Sequence, residues 1–260
     1  MIPYFAWHTI ALGPLTLHVW GLLVALGVVV SLLVLRWDAK RLGKDASSWV
    51  DHAIAIIIAG FVGARLGHVL FYEPAQYLVD PLEVLRVWHG GMSSLGGFVV
   101  AAGYGIWRLR RARVDVHAFA EAGALALPLG WMVGRIGCFL IHDHPGTLTH
   151  FALAVREPGD WGDAGWGRHD LGLYDAIVAA GIAVIVVFLR AQGWLRGWHM
   201  LVVVAVYAVA RFFLDFLRAT DIAGADVRYA GLTPAQYGTI AALVLVGVFW
   251  YKKGTQVRKK

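Results

Sequence analysis

Residues 53–72 read AIAIIIAGFVGARLGHVLFY, twenty positions in which Arg65 is the only Lys, Arg, Asp or Glu. A helix needs about 20 apolar residues to cross the hydrocarbon core of a bilayer. In water such a helix would have no polar face to turn outward. Comparable runs lie at 17–35, 92–107, 117–136, 171–189, 198–217 and 237–251, so the chain reads as seven candidate spans. Composition agrees. Of 260 residues 59% are hydrophobic and 15% charged, against about 25% charged in ordinary soluble domains. Too few charges remain to coat a water-exposed surface, which excludes a soluble globular fold. The expected fold class is an all-α integral membrane protein, a bundle of about seven transmembrane helices forming one domain over residues 1–260. The longest connection, 137–170, is rich in Gly, His, Asp and Trp and is long enough for a small cap, and residues 252–260 form a basic tail.

The basic residues orient this bundle. Connections 36–52, 108–116, 190–197 and 252–260 carry fifteen Lys and Arg, whereas the opposite set carries six: Arg86, Arg135, Arg156, Arg168, Arg218 and Arg228. Cytoplasmic loops hold the excess of Lys and Arg. The N-terminus and the 137–170 connection are therefore expected outside the cytoplasm, and the C-terminus inside it. The formal charge of +6 is spread between apolar runs rather than gathered on one face, so nucleic acid is not an expected partner. Cys138 is the single cysteine, which excludes an internal disulfide. The first seventeen residues lack Lys and Arg, unlike the basic start of a cleaved signal, so the first apolar run is expected to remain as a span.

Ionisable side chains within spans are expensive and mark functional candidates. Arg65, His68 and Tyr72 share one face of the second span, and Tyr207, Arg211, Asp215 and Arg218 form a stripe on the sixth. Arg135 closes the fourth span at a similar level. Forked guanidinium donors suit phosphate oxygens, so an anionic lipid head group is the expected ligand. A structural reading stands beside it: Arg135 and Arg218 snorkelling to the interface, Arg211 and Asp215 forming a buried pair. Gly90, Gly91, Gly96 and Gly97 bracket the entrance of the third span and permit close approach of a ligand or of a neighbouring helix. His142, Asp143 and His144 have no second ligand pair at a recognisable spacing, so no metal is expected. Cys138, next to Arg135, is either an activated thiol or an inert buried one.

The same stretches resemble the bacterial prolipoprotein diacylglyceryl transferases. LGPLTLHVWGLLVA at 12–25, GARLGHVLFYEP at 63–74, DPLEVLRVWHGGMSSLGG at 80–97, GRIGCFLIHDHPG at 134–146, RHDLGLYDA at 168–176, FFLDFLRATD at 212–221 and Gly231 to Gln236 match that family's motifs in order. The resemblance implies a seven-span enzyme that moves the diacylglyceryl group of phosphatidylglycerol to the lipobox cysteine of a prolipoprotein and releases glycerol phosphate, with no cofactor. It further implies that Arg135 and Arg218 hold the phosphate, that Tyr174 and Asp221 shape the site, and that Asp143 stands for a motif glutamate. The chain departs from the pattern at Leu95, where the family motif has histidine, at Trp20 for tyrosine, at Cys138 for asparagine and at Asp215 for glutamate. His89 or His142 is then the expected substitute base. Two other readings follow: a divergent paralogue that binds an anionic lipid without this transfer, and a transporter, which the lack of paired broken spans disfavours.

Overall fold

The computed structural model describes residues 1–13, 15–72, 74–87, 90–156, 165–222 and 225–257. Among these, the strands are β1 (Thr9–Leu12), β2 (Leu15–His18), β3 (Pro145–Thr149), β4 (Val155–Arg156) and β5 (Gly167–Asp170). The helices are α1 (Val19–Arg41), α2 (Ala46–Phe71), α3 (Pro74–Val79), α4 (Ser94–Arg111), α5 (Val116–Ile141), α6 (Leu171–Gln192), α7 (His199–Leu214) and α8 (Pro234–Val257). Six of them (α1, α2, α5, α6, α7 with its 3-10 extension to Leu217, and α8) are long and apolar enough to cross a membrane. The seventh expected span is α4. Its 18 residues carry Arg108, Arg110 and Arg111 in the last turn, so its apolar stretch falls short of a full crossing even though about 1.5 Å per residue gives it nearly the length.

The chain divides into a larger unit, Met1–Ser31 with Gly123–Lys260, and a smaller one, Leu32–Ala122. The smaller unit is built on α2 and α4. Asp45 caps α2 by accepting from the Ser47 and Ser48 amides at 3.0 and 3.2 Å, and Ser93 caps α4 by accepting from Gly96. With few bulky groups between them the two backbones meet: a Cβ on Gly96 would lie 2.6 Å from the Gly63 carbonyl oxygen, and one on Gly67 would lie 2.9 Å from the Gly96 Cα. Close approach through small residues is how helices pack where lipid supplies no hydrophobic drive.

In the larger unit α7 packs on α6 and α8. Asp170 caps α6 by accepting from the Leu173 amide at 2.9 Å, and Gly193 in the left-handed region ends it. Gly172 lets the start of α6 rest on α5, because a Cβ there would lie 2.7 Å from the Phe139 nitrogen. α8 begins with a reciprocal capping box: the Thr233 amide donates to Gln236 Oε1 at 2.9 Å and the Gln236 amide to Thr233 Oγ1 at 3.2 Å. Within the 137–170 connection, where a cap was expected, the described residues form a small antiparallel sheet of order β3-β5-β4, hereafter the cap. Ile2 joins its edge beside Val155, with its amide on the Ala154 carbonyl. The β1-β2 ribbon lies ahead of α1 and was not foreseen from the apolar runs.

Candidate functional site

In the smaller unit, Arg65 is buried near the end of α2 and faces the 83–91 segment. Its Nε donates to the Val84 carbonyl at 2.9 Å, Nη1 to those of Gly90 and Gly91, and Nη2 to those of Glu83 and Arg86. The guanidinium also lies 5.2 Å from the Tyr77 ring centroid. All five N–H donors are thus engaged by backbone. Arg65 was expected to offer its fork to a head group; here the fork is taken up by these carbonyls and fastens the segment that carries them, where the Glu83 carbonyl also accepts from the Arg86 amide at 3.1 Å. Gly91 requires its positive φ of 77° and its lack of Cβ, since a Cβ would lie 2.7 Å from the His68 ring and 2.8 Å from Arg65 Nη1. Arg65, His68, Gln76, Tyr77, Glu83, Gly90 and Gly91 line a hollow of about 200 Å³. Tyr72 is half-exposed and stacks on His68 at 5.4 Å. Gly96 and Gly97 lie in the α2–α4 seam, against Gly63, Gly67, Gly60 and Ala64. His89 lies outside the described residues.

In the larger unit, helices α5, α6 and α7 bring together a continuous charged chain. Asp175, fully buried on α6, receives Arg135 Nε at 3.3 Å and Arg211 Nη1 at 2.9 Å on the same oxygen, Oδ2. Arg211 Nη2 reaches Asp215 Oδ1 at 2.9 Å, and Arg218 Nη1 reaches the same oxygen at 3.9 Å. Asp215 Oδ2 accepts from Thr233 Oγ1, while Arg228 Nη2 donates to the Asp215 carbonyl at 3.3 Å. Arg218 Nε lies 2.6 Å from Asp226 Oδ2. Arg135 stacks over Trp131, 4.9 Å from the ring centroid, and its Nη1 is 3.9 Å from Cys138 Sγ. Four arginines thus face three aspartates, leaving one positive charge in excess. Arg135 and Arg218 have side chains 14% and 24% exposed, so both can meet a ligand while remaining shielded enough for the contact to be strong.

Around this chain the cap supplies a polar collar. Arg168 makes a two-pronged pair with Asp221, 3.0 Å on each prong, and donates to the Gly146 carbonyl. That guanidinium holds the Asp221 carboxyl below its usual range. His169 Nδ1 lies 2.8 Å from the Tyr174 hydroxyl, and burial pulls the imidazole below the usual histidine pKa. His142 Nδ1 lies 2.7 Å from Asp170 Oδ2. Gly146 and Arg218 form an antiparallel bridge, which ties the cap to the chain just after α7.

Of the expected residues, Arg135 and Arg218 therefore belong to one network, with Tyr174 next in sequence to its central carboxylate. Asp221 is joined to Arg168 rather than to that network. Asp143 sits beside His144 and Cys138, the donor atoms of all three lying within 4.8 Å of one another. Arg65, Tyr72 and the four glycines form a separate group in the smaller unit. The sequence reading placed Arg211 among the ionisable candidates without a role in the site, and gave none to Asp175, Thr233 or Gln236. Arg211 had a signal, the i, i+4 stripe with Asp215. Thr233 and Gln236 had the T-x-x-Q capping spacing. Asp175 had its place in the 168–176 motif and its position within an apolar run, which marks an ionisable residue as a candidate.

Fold and site together define a polytopic helical membrane protein with a buried cationic network at the helix ends. A model of the prolipoprotein diacylglyceryl transferase family matches residues 8–252. Among similar proteins, the phosphatidylglycerol–prolipoprotein diacylglyceryl transferase of Chromohalobacter salexigens is 32% identical over 92% of this chain and 88% of its own. Those of Janthinobacterium sp. (31%, 86% and 85%) and Solidesulfovibrio magneticus (30%, 93% and 92%) are similar over comparable spans. The chain belongs to the prolipoprotein diacylglyceryl transferase family.

Proposed function

We propose that this protein transfers the diacylglyceryl group of phosphatidylglycerol to the lipobox cysteine thiol of a prolipoprotein, forming a thioether and releasing glycerol phosphate. The observation that carries the reading is the Arg135–Asp175–Arg211–Asp215–Arg218 network in a chain of this family. The phosphate is an anion in the lipid and gains charge as it departs. Fixed guanidinium donors in shielded surroundings stabilise that gain more than they stabilise the bound lipid, which is what lowers a barrier. Asp175 and Asp215 hold the three arginines in register, so the donors need no rearrangement when charge develops. Arg135 and Arg218 are the proposed phosphate ligands; Tyr174, Asp221 and Asp143 line the surroundings. The fifteen-to-six distribution of Lys and Arg supports an inner-membrane protein with its N-terminus and cap in the periplasm and its C-terminus in the cytoplasm.

The test is lipidation of a lipobox peptide by the purified chain with labelled phosphatidylglycerol in detergent. A peptide that gains the diacylglyceryl mass, and a Ser-for-Cys peptide that does not, is the expected result. Phosphatidylglycerol binding without transfer to any lipobox peptide would overturn the reading in favour of a lipid-binding paralogue.

A further inference from the structure

Cys138 sits one turn before the end of α5, and the chain then reverses. The helix stops at Ile141, and His142 takes a left-handed φ of 51°, which folds Asp143 and His144 back over that last turn. The reversal is pinned. His142 is tied to Asp170 and its ring packs 5.2, 4.9 and 5.5 Å from those of Tyr4, Phe5 and Phe139. The His144 carbonyl accepts from the Leu171 amide at 3.1 Å. Asp143 Oδ1 meets His144 Nδ1 and orients the ring.

The outcome is one thiol sulfur, one carboxylate oxygen and one imidazole nitrogen mutually within 4.8 Å. Spacing alone did not show this set, because the third donor comes from the helix rather than from another His or Cys pair. Cys138 is 5% exposed, whereas the side chains of Asp143 and His144 are 31% and 25% exposed. The set is closed by protein on one side and open on the other. Mixed sulfur, nitrogen and oxygen donors suit a borderline-soft dication such as zinc, and three protein ligands with one free position is the arrangement of reactive zinc sites rather than of closed structural ones. One thiolate and one carboxylate balance the dication. Arg135, 3.9 Å from Sγ, then offers a positive charge to an anionic fourth ligand.

We propose that Cys138, Asp143 and His144 bind a zinc-type divalent cation whose fourth position takes the acceptor thiol as a thiolate. The second half of this inference rests on the transferase reading above. A thiol that binds the metal loses its proton to water outright. Its sulfur attacks the glycerol carbon that carries the phosphate ester, the C–S bond forms, and the C–O electron pair leaves with glycerol phosphate.

The experiment uses the full chain in detergent, stripped with a chelator and reloaded with Zn²⁺ or Co²⁺. One metal per chain and a thiolate-to-cobalt charge-transfer band are expected. Cys138→Asn should abolish the band and His144→Ala should weaken uptake by at least about 10-fold, with thermal unfolding confirming that both variants fold. No uptake by the native chain, or a band that persists in Cys138→Asn, overturns the site. Adding a lipobox peptide should enlarge the band, and a Ser-for-Cys peptide should not; no enlargement overturns the thiol role. Unaltered lipid transfer by the stripped chain also overturns that role and leaves the transferase reading standing. Metal uptake without transfer sinks the transferase reading and leaves the site.

Discussion

Arg65 and Arg211 are both buried arginines on membrane helices, yet they are solvated by opposite means. Arg65 gives its five donors to five neutral carbonyls and, among the described residues, has no carboxylate hydrogen-bond partner. Arg211 is bound between two carboxylates, Asp175 and Asp215, which it shares with Arg135 and Arg218. The first arrangement exhausts the hydrogen bonds and builds a loop. The second balances the charge, and because each carboxylate is divided between guanidiniums, the outer two keep donors to offer. What an intramembrane arginine does is therefore set by whether its partners are dipoles or ions.

The comparison breaks most visibly at Arg211. Arg211→Ala would leave two fully buried aspartates without their shared partner, and removing one side of a buried pair costs about 3–5 kcal/mol. Thermal unfolding in detergent should fall by a corresponding margin and transfer should vanish. If Arg211→Ala instead unfolds as the native chain does, the network is not the framework described here.

At the edge of the same network the effect moves from stability to binding. Arg135→Ala should weaken phosphatidylglycerol binding by about 2–5 kcal/mol, and Arg135→Lys should recover little because the ammonium lacks the fork. Equilibrium binding of labelled lipid in detergent checks this. Equal binding by native chain and Arg135→Ala would make this arginine as structural as Arg65.

Arg65→Ala should be milder in stability and different in kind. It strips carbonyls of a donor without stranding an opposite charge, at about 1–3 kcal/mol for the buried groups left unsatisfied. Faster proteolytic cutting between residues 80 and 93, with lipid affinity changed less than in Arg135→Ala, is the expected pattern. A larger affinity loss than in Arg135→Ala would return Arg65 to the head-group site.

The contrast also explains what could be read from the chain alone. Apolar runs located α1, α2, α5, α6, α7 and α8 because lipid acts on composition over about twenty residues. The same signal was weaker for α4, which ends in arginines. Ordered motifs pointed to Arg135 and Arg218. Partners could not be read, because Arg211 meets Asp175 across 36 residues of sequence and no local period links them. Arg65 looked like a ligand for that reason: its carbonyl acceptors are backbone, and backbone has no letter in a sequence. The short strands of the cap were hidden too, since two to five residues are too few for alternation to show. Cys138 met Asp143 and His144 only through the reversal at His142, a backbone conformation that histidine does not announce.

The smallest effect belongs to the Arg168–Asp221 pair of the collar, and it tests whether exposure erases the distinction between ionic and dipolar partners. Arg168 is largely shielded, but the Asp221 side chain is 51% exposed. Solvent and salt screen such a pair, so its worth is about 0.2–1 kcal/mol. The Arg168 hydrogen bonds hold the Asp221 carboxyl below its ordinary range. A carboxyl whose folded pKa is depressed contributes stability that is fully present above the unfolded value, about 3.9, and is lost as pH falls through the folded value. Asp221→Asn should therefore lower stability slightly at neutral pH, and the difference from the native chain should close as pH drops below that carboxylate range or as salt is raised. Unfolding of both chains at a series of pH values measures it. A difference that persists in acid would mean Asp221 acts through its shape and the Gly146–Arg168 contact rather than through its charge, and the collar would then resemble the carbonyl-bound Arg65 more than the buried network it surrounds.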